Sequence, residues 1–122
     1  MKIPGINAEI GLSLYDGDVE LYADIIQSFA ENIPEELDKL RVLNEQELKE
    51  YAIDVHTIKG SAASIGAKDL AEWARKLEQM AKSGDYIGVA AENEAFIKDA
   101  ETLISEINKW SQSHQNGEPF DG

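Results

Sequence analysis

His56, Lys59 and the run from Gly60 to Ser64 are the residues of this 122-residue chain whose types and spacing could do chemistry. Read as a helix, His56 to Ile65 puts Lys59 and Gly60 one turn from His56 and Ala63 two turns away, all on one face. The stripe beside it, Leu48, Tyr51, Val55, Ile58, Ala62 and Ile65, is apolar. His56 lies about 100° round from Val55, at the border of that stripe, where an imidazole can reach solvent. Histidine titrates near neutrality, and its neutral ring, projecting from a helix, is a nucleophile toward phosphorus. An ammonium at i+3, that of Lys59, would sit beside an incoming phosphoryl group and offset the charge spreading over its equatorial oxygens. Gly60 in mid-helix costs about 0.5 to 1 kcal/mol relative to Ala, and Ser61, Ala62, Ala63 and Ser64 add little bulk. Close approach of a partner is one reason for such a run. Close packing of a neighbouring helix is another, and a border histidine and a solvated lysine can be ordinary surface residues.

The elements that must position these residues are all helical. Ile6, Ile10 and Leu14, spaced by four, predict a short helix from about Asn7 to Tyr15 with Asn7 as its cap. Asp16-Gly17 is a turn, and Asp18 caps a helix with the apolar series Tyr22, Ile26, Phe29, Ile33, Leu37 and Leu40. Pro34 interrupts that series, so the helix either kinks there or restarts from a cap at Asn32. Asn44 caps the helix bearing His56, about Glu45 to Ile65, and Gly66 ends it or bends it into the next, about Ala67 to Lys82. That helix packs through Leu70, Ala74, Leu77 and Ala81. After Ser83-Gly84-Asp85, a final helix carries Val89, Phe96, Ala100, Leu103, Ile107 and Trp110. Ser111 to Gly122, with Gly117 and Pro119, reads as a frayed or disordered tail that includes His114. Short connections between the four longer helices predict an all-α fold, an up-down-up-down antiparallel four-helix bundle with a short additional N-terminal helix. Residues 1–110 form one domain.

Composition narrows the function. A net charge of -13 argues against nucleic acid and anionic membrane surfaces as partners. Around the histidine the balance reverses, with Lys59, Lys68, Arg75, Lys76 and Lys82 against Asp69, Glu72 and Glu78, which suits a phosphoryl group and an acidic docking pocket and equally an ordinary solvated helix face. Absence of cysteine excludes a disulfide framework and a thiolate zinc site. No apolar run approaches ~18 residues and no signal-peptide pattern opens the chain, so a soluble, cytoplasmic protein is expected. A helical metal site needs a second ligand a turn from His56, and Ala52, Ile53 and Gly60 supply none. There is no Asp-Ser dipeptide for a carrier-protein prosthetic arm and no G-x-x-x-x-G-K-[ST] loop for ATP. The chain therefore carries no loop of that kind with which to start a phosphoryl transfer from ATP.

H-T-I-K-G-S-A-A-S-I-G-A from His56, followed by Leu70, Ala74 and Leu77-Glu78 at helical spacing, resembles the signature of histidine-containing phosphotransfer (HPt) domains of bacterial multistep phosphorelays. Gly11, Leu14 to Asp18, Tyr22 and Phe29 extend the resemblance, which covers about Ile6 to Trp110 and favours a kink at Pro34. The resemblance implies a phosphohistidine carrier rather than an enzyme. His56 would be phosphorylated at Nε2 and assisted by Lys59, with Gly60 giving access and Ala63 and Ser64 meeting the partner. Partners would be receiver domains of response regulators or hybrid sensor kinases, whose magnesium ion completes the site, so the chain needs no cofactor of its own and is expected to be a monomer. The alternative is a phosphorylation-independent adaptor using the same face. Helices two and three, with the fourth at the margin, are expected to frame that face.

Overall fold

The computed structural model describes residues 2–115, and among these every regular element is a helix. They are α1 (Ala8–Ser13), α2 (Val19–Leu40), α3 (Leu48–Ser64), α4 (Lys68–Lys82) and α5 (Tyr86–Gln115), with a single 3-10 turn at Glu45–Glu47. The four longer helices form a closed ring of contacts: α2 packs on α3 and α5, and α4 packs on α3 and α5. The apolar series read from the sequence are the inward faces. Tyr22, Ile26, Phe29, Ile33, Leu37 and Leu40 of α2 are buried against Val55, Ile58 and Ala62 of α3, Leu70, Ala74 and Leu77 of α4, and Phe96, Ala100 and Ile107 of α5. Burying such side chains supplies the main favourable free energy of a helix bundle.

Local chemistry sets the boundaries. Asn7 accepts from the Ile10 N–H and Asp18 from the Leu21 N–H, so both expected caps form. Asn44 also caps, but its carboxamide accepts from Gln46 and the first turn is 3-10, so α3 proper starts at Leu48. α2 runs through Pro34 without a break, and Asn32, instead of capping a second helix, donates to the Ser28 hydroxyl. At the other end of the chain the expected fraying from Ser111 does not occur. Between Gly88 and Gly117 there is no glycine or proline, and α5 continues past Trp110 to Gln115, carrying the backbone of His114 in its last turn. Residues 116–122 of the expected tail lie outside the described residues.

The joint between α3 and α4 fixes the register that matters below. Gly66, at φ +79°, places the Ala67 N–H on the Ala62 carbonyl and its own N–H on that of Ala63, a Schellman closure. A Cβ at Gly66 would also stand 2.4 Å from the Asn7 carbonyl oxygen. The remaining C-terminal carbonyls of α3 are met from the N-terminal segment. Tyr15 donates its hydroxyl to the Ser64 carbonyl, Tyr22 to that of Ile65 and the Asn7 N–H to that of Gly66. Ile3, before any expected element, is buried in the same core.

Candidate functional site

His56 lies just over two turns into α3, and its side chain is 62% exposed. Across the α3–α4 seam stands Glu78, one residue beyond Leu77 of the buried α4 stripe and therefore at that stripe's edge. Its side chain is only 6% exposed, and three groups converge on it. His56 Nδ1 lies 2.9 Å from Oε2, Lys59 Nζ lies 2.7 Å from Oε1, and Lys82 Nζ, one turn along α4, lies 3.0 Å from Oε2. The Lys59 hydrogen bond above all, with those of Lys82 and His56, outweighs the opposing effect of burial and holds the Glu78 carboxyl well below its ordinary 4.5, at about 2. Near neutral pH Glu78 is thus an ionised, acceptor-only group. The hydrogen atom of the His56–Glu78 contact must then belong to Nδ1, which leaves the Nε2 lone pair of the neutral ring unprotonated and directed away from the carboxylate.

Gly60 is exposed, one turn further along α3, and a Cβ built on it would meet nothing within 4 Å. Close helix packing therefore does not account for this glycine. Ala63 is exposed as well, whereas Ser64 is half-buried and its hydroxyl donates to the Ser61 carbonyl, so that side chain is already engaged within its own helix. A groove of about 540 Å³ flanks His56 on the α4 side, with Lys49, Ile53 and Thr57 on one wall and Ala81 and Lys82 on the other. Ile53 is 59% exposed at its rim.

The structure thus brings His56, Lys59 and Gly60 together, and departs from the expected arrangement in two respects. The ammonium of Lys59 rests on Glu78, and Glu78 and Lys82 of α4 stand beside His56 where the sequence reading placed no partner for it. The sequence reading named Glu78 only within the family signature and the charge balance, and Lys82 only in that balance and as a helix end, and gave neither a role beside His56, although their spacing of four marks them as a helical ion pair. Trp73 is half-buried, edge-on to Phe96 at 5.7 Å with its indole N–H on Glu92, and fills the rim of the bundle.

The family model described as Hpt domain matches residues 24–110, from the first turns of α2 to Trp110. The chain belongs to the Hpt family. Hpt domains are phosphotransfer carriers rather than kinases; they transfer phosphoryl groups through a histidine and interact with receiver domains in phosphorelays. The matched span of this Hpt domain contains the whole α3–α4 cluster and leaves α1 outside. Searches of curated proteins and of solved structures gave no significant match. Among the described residues no helix is long and apolar enough to cross a membrane, and no group of three or more His, Cys, Asp or Glu could hold a metal ion.

Proposed function

We propose that this Hpt domain carries its phosphoryl group on Nε2 of His56, taking it from a receiver-domain phosphoaspartate and passing it to the aspartate of another receiver. The observation that carries the reading is the contact between His56 Nδ1 and the nearly buried, ionised Glu78, on a ring that is otherwise exposed. In the forward step the Nε2 lone pair forms the N–P bond while the P–O bond of the acyl phosphate breaks, its electron pair staying on the departing aspartate. No proton has to move. The product is an imidazolium whose Nδ1–H remains on Glu78, and the carboxylate favours that charge. Lys59 offsets charge on the phosphoryl oxygens, Gly60 admits the partner's backbone, and Ala63 with the rim residue Ile53 gives it contact surface. The Ser64 side chain contributes smallness rather than a hydrogen bond.

The bundle is read as up-down-up-down and the protein as a cytoplasmic monomer of a bacterial phosphorelay, with magnesium supplied by the receiver. The test is direct. Incubated with phosphorylated receiver domains, the protein should acquire a phosphate that is labile in acid and stable in alkali, and His56→Gln should keep its helical signal and acquire none. Label retained by His56→Gln refutes the assignment.

A further inference from the structure

Glu78 bears one negative charge and is gripped by two ammonium groups, Lys59 on Oε1 and Lys82 on Oε2, while the His56 Nδ1–H shares Oε2. One cation more than the carboxylate needs is present. His56 and Lys59 face Glu78 from α3 and Lys82 from α4 itself, and Lys49 lines the same groove. Two like charges on one carboxylate repel, so each loosens the other's hold. Their settings also differ: Lys59 is 30% exposed and Lys82 66%.

This surplus matters once a phosphoryl group arrives. To bring its ammonium fully to that group, Lys59 has to loosen its 2.7 Å contact with Oε1. Were Lys59 the sole cation, its departure would leave a carboxylate of 6% exposure with no full countercharge, and an uncompensated buried charge is strongly unfavourable. Lys59 would then stay where it is. We propose that Lys82 is a positioning residue: by compensating Glu78 from α4, it frees Lys59 to move to the phosphoryl group on His56 while Glu78 keeps the Nδ1–H. The inference rests on the reading of His56 as phosphoryl acceptor. Lys82 neither touches the reacting atoms nor exchanges a proton.

Single-turnover labelling of the full chain by phosphoramidate tests this without a partner protein. Nε2 of His56 forms the N–P bond, the donor's P–N bond breaks, and ammonia departs. Lys82→Met should slow labelling about five- to tenfold, because Glu78 then retains Lys59. In a Lys59→Ala background there is no ammonium to free, and adding Lys82→Met should change the rate less than about twofold. Lys82→Arg, which keeps the charge, should stay within about twofold of wild type. A merely structural Lys82 would lower the melting temperature and slow labelling equally in both backgrounds. An unchanged rate in Lys82→Met, equal slowing in both backgrounds, or Lys82→Arg as slow as Lys82→Met overturns the inference alone. Failure of the wild-type protein to be labelled at His56 overturns the reading beneath it, and the inference with it.

Discussion

Replacing Gly60 separates access from packing in a single protein. Within α3 glycine costs about 0.5 to 1 kcal/mol relative to Ala through the backbone freedom it loses on folding. A Cβ there has nothing within 4 Å, so no clash subtracts from the gain. Gly60→Ala should therefore raise stability by nearly that amount, and for a chain of this size about 1 kcal/mol corresponds to about 3 to 5 °C in melting temperature. Gly60→Gln should melt no earlier than wild type, since glutamine ranks close to Ala as a helix former. Its side chain, however, stands on the exposed face one turn from His56, in the space a docking backbone would occupy. Transfer from a phosphorylated receiver should fall at least about tenfold, or about 1.4 kcal/mol of barrier. Labelling by phosphoramidate, which needs no docked backbone, should fall much less. Thermal unfolding and both labelling rates are measured on the same preparation. Early melting of Gly60→Gln, or receiver-dependent transfer at the wild-type rate, refutes the access argument.

Lys59→Ala should slow phosphorylation of His56 by about tenfold, one charge-assisted contact in the transition state, while the helical signal is retained; an unchanged single-turnover rate returns Lys59 to a purely structural partner of Glu78. The Glu78 carboxyl also predicts an acid limit. Its value in the folded protein, about 2, lies below its ordinary 4.5, so its contribution to stability is complete above about pH 4.5 and is lost as pH falls through 2. The stability gap between wild type and Glu78→Gln in denaturant titrations should therefore be widest at neutral pH and narrow below pH 4.5, and a gap constant down to pH 2 contradicts the assigned ion cluster.

Most of the fold was legible because it depends on local signals. Asn7 and Asp18 are caps whose bonding partner lies three residues on, and Gly66 is a stop whose closure uses only its own helix. The inward stripes of α2 to α5 follow from a 3.6-residue period and nothing else. Where the reading slipped, the deciding contact was remote or a breaker was absent. The burial of Ile3 depends on a bundle folded elsewhere in sequence, and the length of α5 on the absence of glycine or proline between Gly88 and Gly117.

The functional cluster divides along the same line. His56, Lys59 and Gly60 share one helix face, so their relation is read from spacing alone. Glu78 is 22 residues away, and its role depends on how α4 is set against α3. That register is produced at Gly66, where a left-handed residue without a Cβ lets the chain turn against the Asn7 carbonyl. From there the two helices separate at a common rise, so that the residue beyond Leu77 meets the residue beyond Val55. Charge counting along the chain could not anticipate the outcome, because it enters Glu78 as one acidic residue among several lysines. In the folded protein it is the group around which His56, Lys59 and Lys82 are arranged, and its ionisation decides which ring nitrogen of neutral His56 carries the hydrogen.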